Sequence, residues 1–352
     1  MAKYLMINGS LSRGMDAARI GGCFMVVLLH AASLETYSLN EPSWAGPFYD
    51  AFSRSCVPIF LMISGALLLG KPDTLVVYLR KRLLRVVPPL LFWSLFYMAW
   101  NSWNGQSYGL PLQWLLHVVR GPVAAHLWYL YAIVGIYLFV PYLRHIWQAS
   151  SSSEKNLFLL LWLLVSAWPI AQYVLGMQTD LIDTWQLGSF FGYFGYLFLG
   201  AYLRQLAEPA FAAGTTSWRG MVISAVLFVA FNMLTLVATY MYARQQSQFS
   251  LVFYDYLSPL VVGASICACY LLCWAGAAVH RLGPILKQLA DCALGVYCMH
   301  VVVLDIVGDI AGLPKQGSAA WLSIPFTAIL VFVISVISML MLRRVSLWRR
   351  VT

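Results

Sequence analysis

Ten runs of about 20 predominantly apolar residues, set between short polar or basic clusters, take up nearly all of this 352-residue chain. They lie at roughly 15–34, 50–69, 86–103, 126–146, 157–175, 187–206, 220–242, 256–279, 291–310 and 319–342. A run of that length, wound as an α-helix, matches the ~30 Å apolar thickness of a bilayer. Inside lipid every backbone N–H and C=O must be paired within its own segment, and a helix does this. The chain is 61% hydrophobic and only 10% charged, against about 25% charged for a soluble domain. The expected fold class is therefore all-α: a polytopic integral membrane protein of about ten transmembrane helices, forming a single domain over residues 1–352. Pro88-Pro89 at the third run and the glycines of the sixth are compatible with membrane helices.

Lysine and arginine set the orientation. With the N-terminus in the cytoplasm, all but five of the 22 basic residues fall on the cytoplasmic side. Arg120, Arg244 and Lys315 fall outside, and Arg19 and Arg54 lie within spans. Both termini are then cytoplasmic, and the net charge of +9 reflects topology and contact with anionic inner-leaflet lipid. It gives no reason to expect a nucleic-acid partner. All seven cysteines fall inside spans, which argues for small hydrophobes rather than a disulfide framework, and no metal-ligand spacing is present. The first span carries charged residues and lacks a small-residue cleavage site, so no cleavable signal peptide is expected.

Within that first span, Arg19 and His30 are eleven residues apart. At 100° per residue they share one helix face, roughly 16 Å apart along the axis. Asp16 lies one turn before Arg19 on nearly the same face. Ionisable groups inside a membrane are costly unless paired or wet, so such a stripe marks a functional site. Depth divides the unusual residues into two groups. Asp16, Arg19 and the loop after the second span, with Arg80, Lys81, Arg82 and Arg85, lie toward the cytoplasm. His30, Arg54 and His126 lie nearer the outer face, and His300 lies about midway along the ninth span.

Each has a plain reading beside the functional one. The Arg80–Arg85 cluster suits a topology signal, yet Arg82 and Arg85, at i and i+3, also suit a clasp on phosphate. Arg54 suits snorkelling, and His126 with Trp128 suits an interfacial belt. His30 suits a general base, since an imidazole titrates near neutrality. Together the groups suit transfer between a charged cytoplasmic donor and an acceptor hydroxyl toward the other side.

These residues also resemble the motifs of acyltransferase family 3, integral-membrane proteins of ten spans that O-acylate bacterial surface glycans. Arg19 and His30 are similar to the family's arginine, ten residues, histidine signature, and Arg82 and Arg85 to its R-x-x-R motif. Arg54-Ser55-Cys56-Val57-Pro58-Ile59-Phe60 with Ile63-Ser64-Gly65 resembles the second-helix motif. His126-Leu127-Trp128-Tyr129-Leu130 is similar to H-x-W-F-L, and Gly295-Val296-Tyr297 with His300 to a late G-I-Y-x-x-H. Ala18 and Ile20 depart from the residues usual around the arginine. Without an esterase-like domain after the tenth span, the chain resembles the standalone branch, of the enterobacterial-common-antigen O-acetyltransferase type.

The resemblance implies an acyl-CoA donor, most often acetyl-CoA, bound as a substrate from the cytoplasm, with no resident cofactor and no metal. It implies His30 as the catalytic residue and Arg19, Arg82 and Arg85 on the phosphates of the donor. Asp16, Arg54, Ser64, His126, Trp128, Tyr297 and His300 are then supporting or acceptor-side residues. The acceptor would be a sugar hydroxyl of a cell-surface or lipid-linked glycan, and the location a bacterial inner membrane. Two other readings stand beside this one. A proton-coupled transporter would also use buried histidine and arginine, although the two halves of the chain show no similarity to each other. A non-catalytic envelope sensor would need no turnover at the charged stripe.

Overall fold

The computed structural model describes residues 9–35, 44–175, 192–246, 250–345 and 348–351. Twelve α-helices are seen among them, with no strand: α1 (Gly9–Ala32), α2 (Ala45–Ser53), α3 (Cys56–Leu68), α4 (Leu75–Trp103), α5 (Pro111–Arg120), α6 (Trp128–Ala149), α7 (Ser152–Leu175), α8 (Phe194–Ala213), α9 (Trp218–Gln246), α10 (Pro259–Ala278), α11 (Gly283–Ala311) and α12 (Ala320–Leu342). Nine segments among the described residues are long and apolar enough to cross a membrane, α2 and α3 counting together as one. The sixth expected run, 187–206, begins outside the described residues and continues into α8. The protein is thus an all-helical, multi-pass membrane protein.

Local signals explain several boundaries. Pro259 opens α10 at a position whose N–H would have no helical partner. Gly214 after α8 and Gly312 after α11 adopt left-handed φ of +67° and +60°, which closes a helix without Cβ strain. Two expectations need correction. The second run is not one helix: it breaks at Arg54-Ser55, between α2 and α3. The helix of the third run, α4, starts at Leu75, so Arg80–Arg85 lie on its first turns and not in a loop, and Pro88 and Pro89 fall inside it. Neighbouring helices compensate for such missing donors in membrane proteins.

Helix α1 is the centre of the molecule, packing against α2, α3, α8, α10, α11 and α12. Its polar stripe therefore faces protein rather than lipid, the arrangement that makes intramembrane charge tolerable. Close crossings depend on small residues. A Cβ on Gly65 of α3 would overlap the Leu197 carbonyl of α8, and one on Gly200 would overlap the Met62 carbonyl. The two backbones approach to a distance that only glycine permits.

Arginines close the end of α3. Arg144 of α6 donates from Nε to the Leu68 carbonyl at 3.1 Å and from Nη1 to the Asp73 carbonyl at 2.9 Å. Arg204 of α8 donates to the Ala66 carbonyl at 2.8 Å. The last carbonyls of a helix lack internal partners and carry partial negative charge, so cations belong there. From sequence Arg144 and Arg204 serve only to orient the chain; in the fold they also terminate a helix.

Candidate active site

At one end of the bundle a cavity of about 840 Å³, including its open mouth, is lined by Arg19 of α1, Ser64 of α3, Arg82 and Arg85 of α4, and Tyr129 and Tyr137 of α6. Tyr297 of α11 closes it. The i, i+3 spacing on α4 brings Arg82 and Arg85 to one face. Arg80 and Lys81 are exposed and do not line it; Lys81 lies 3.6 Å from Asp73. Arg19 donates from Nη1 to Asp16 Oδ1 at 2.6 Å, as their positions one turn apart allow. Three guanidiniums against one paired carboxylate give this cavity a net positive field, suited to a polyphosphate.

Above Tyr297 three histidines meet. His30 of α1, His126 just before α6, and His300 of α11 have ring centroids 4.8 Å (His30–His300), 5.2 Å (His126–His300) and 6.0 Å (His30–His126) apart. His300 is fully buried and His126 is 3% exposed. The Tyr297 hydroxyl donates to the His126 carbonyl, so one side chain joins the arginine cavity to the histidine cluster. From sequence His300 stands apart, about midway along its span; the fold places it against His30.

Backbone carbonyls decide where the protons sit. His30 Nδ1 lies 2.8 Å from the Val26 carbonyl oxygen, which only accepts, so Nδ1 carries the proton. His300 Nδ1 lies 2.6 Å from the Tyr297 carbonyl and must also be the protonated nitrogen. His300 Nε2 is then a bare lone pair, 3.2 Å from the His30 Nδ1–H that it accepts. The second ring nitrogen of His30, Nε2, is then unprotonated and can act as a base. His126 Nε2–H donates to the Cys298 carbonyl at 3.3 Å.

Two residues that the sequence reading did not single out hold this arrangement. The Tyr97 hydroxyl of α4 donates to the Cys298 carbonyl at 2.9 Å and accepts from the Val302 N–H at 3.2 Å. Those are the two groups that an α-helix would pair with each other. Tyr97 therefore sits astride the turn of α11 that carries His300. No sequence signal marks it, since tyrosine in an apolar run reads as packing. Asp50, 1% exposed, faces Arg54: Nη2 donates to Oδ2 at 2.6 Å, and Nε lies 2.6 Å from Oδ1. This partner was findable, because an acid at i−4 from an arginine in one apolar run is the spacing of a helical ion pair. Arg54 also lies over the rings of Tyr254 and Tyr256, 5.4 and 5.5 Å from their centroids. Trp128 stacks near Tyr256 at 5.9 Å, away from the arginine cavity. Among the described residues no group of three His, Cys, Asp or Glu is arranged to hold a metal ion.

Comparison with curated proteins and with solved structures returned no match. Residues 12–343 match the family whose description is "Acyltransferase domain". The match spans both the arginine cavity and the histidine cluster, and the chain belongs to the membrane acyltransferases of acyltransferase family 3.

Proposed function

We propose that the protein is an O-acetyltransferase of a bacterial inner membrane, moving the acyl group of cytoplasmic acetyl-CoA to a hydroxyl of a cell-surface or lipid-linked glycan. The observation that carries this reading is the tautomer of His30: Nδ1 is held as the donor by the Val26 carbonyl and the His300 lone pair, which leaves Nε2 as the base. In the proposed step the acceptor hydroxyl attacks the thioester carbonyl while its proton passes to His30 Nε2. The carbon–sulfur bond breaks, and the coenzyme thiolate leaves, taking that proton from His30 Nε2 so that the neutral base is restored. The imidazolium that forms on His30 is met at Nδ1 by the Val26 carbonyl and the His300 lone pair, both of which favour the charged ring.

Arg19, Arg82 and Arg85 hold the phosphates of the donor, and the cavity between them and Tyr297 receives its pantetheine arm. Asp16 orients Arg19, and the Asp50–Arg54 pair holds the helix break beside the cluster. Membranes containing the protein should transfer label from acetyl-CoA to glycan, and mass spectrometry of surface glycans made with and without it should show one acetyl difference. Transfer at the wild-type rate by an inserted His30→Ala variant would overturn the mechanism.

A further inference from the structure

A second basic cleft lies beside the arginine cavity, between the start of α11 and the end of α12, and includes Arg343, Arg344 and Arg349. Asp291 and Cys292 line it, while Ala293 and Leu294, the next residues of α11, line the arginine cavity. At ~1.5 Å rise per residue the two sites share a single helical turn. Asp291 is within electrostatic range of Arg19. Its carboxylate is engaged by Lys287 at 3.7 Å, so the three arginines leave the cleft positive.

The segment after α12 is folded back rather than extended. Arg343 donates from Nη1 to the Asp291 carbonyl at 2.9 Å, and Arg349 Nε donates to the Arg343 carbonyl at 2.8 Å. Trp93 of α4, two turns beyond Arg85, donates from its indole to the Val351 carbonyl at 2.9 Å, and Trp348 packs edge-on against Phe92 at 5.4 Å. The helix that carries Arg82 and Arg85 thus anchors the turn that carries Arg349. A polybasic tail that only touches lipid needs no such anchoring.

We propose that this cleft binds the ribose 3′-phosphate of the acyl-CoA donor, while Arg19, Arg82 and Arg85 take its pyrophosphate. The inference rests on the acyl-CoA reading above. A phosphate monoester carries close to two negative charges and three acceptor oxygens, which suits several guanidiniums at once. A lipid headgroup phosphate offers related chemistry, and the test separates the two.

Coenzyme A and 3′-dephospho-coenzyme A are titrated calorimetrically into the full chain in nanodiscs of phosphatidylcholine alone. Coenzyme A should bind about tenfold or more tightly than the dephospho form, the scale of lost charge-assisted hydrogen bonds. Arg344→Ala with Arg349→Ala should bring coenzyme A down to the dephospho level. The same exchange should leave affinity for the dephospho form within about twofold, since exposed substitutions cost little elsewhere. Arg344→Lys with Arg349→Lys should keep part of the discrimination, which a misfolded variant would not. Equal wild-type affinity for both ligands, or equal loss for both in the alanine variant, overturns the proposal. So does an effect seen only with phosphatidylglycerol added to the nanodiscs, which would make the cleft a lipid site. Wild-type protein that binds neither ligand would instead bring down the acyl-CoA reading, and the proposal with it.

Discussion

His300 Nε2 lies 3.2 Å from His30 Nδ1, across 270 residues of chain. One histidine thereby reinforces the other: His300 can only accept at Nε2, so with the Val26 carbonyl it keeps the proton of His30 on Nδ1 and the base on Nε2.

Replacing either partner should separate the two roles. His30→Ala removes the base and should lower transfer by about 10²–10⁴-fold, the usual worth of a positioned general base. His300→Leu keeps the base and its Val26 contact but removes the lone pair that stabilises the imidazolium, so kcat should fall while KM for acyl-CoA holds. Steady-state kinetics on membranes, normalised to inserted protein, decide this. A His300→Leu enzyme with unchanged kcat would show that the contact is packing only.

Arg82→Ala with Arg85→Ala should weaken acyl-CoA affinity by about tenfold or more, because charge-assisted contacts to phosphate are lost. Acceptor KM should move far less. Equal losses for both substrates would mean that these arginines serve topology alone.

Removing one member of the Asp50–Arg54 pair should cost more than removing both. Asp50→Ala takes the Asp50 carboxylate from a guanidinium with 15% side-chain exposure, a change on the order of 3–5 kcal/mol when a buried pair is broken from one side. The Asp50→Leu, Arg54→Leu double variant should regain much of that in thermal unfolding. Additive losses in the double-mutant cycle would contradict a coupled pair.

Tyr97→Phe deletes one oxygen and its two hydrogen bonds, to the Cys298 carbonyl and from the Val302 N–H, while His126 still donates to that carbonyl. The expected loss is about 1–2 kcal/mol of stability, the net worth of two neutral hydrogen bonds whose partners keep others. It should be accompanied by shifted imidazole resonances of His126 and His300. Unchanged resonances would mean that the hydroxyl does not position α11.

Gly65→Val should prevent stable assembly, because its side chain would enter the backbone of α8. Recovery of monodisperse protein at wild-type yield by gel filtration would refute the close crossing.

Much of this was legible in the chain. Hydropathy runs placed the helices, because the bilayer leaves the backbone no alternative to internal hydrogen bonding. The 3.6-residue period aligned Asp16 and Arg19 and put Arg82 and Arg85 on one face. The helix break at Arg54 had only weak signals, Ser53-Arg54-Ser55 and then Pro58 in the first turn of α3, which a hydropathy run averages out. Arg144, counted by sign alone, gave no hint that it would be buried against the end of α3.

What the sequence determined by itself was which segments are helical and which ionisable groups share a helix face, because those depend on spacing within one segment. What only the tertiary structure decided was which helices touch. His30, His126, His300 and Tyr97 come from four separate segments, and their meeting depends on packing around α1. Local periodicity cannot encode that, for the free energy of each contact is realised only when the partner helix arrives.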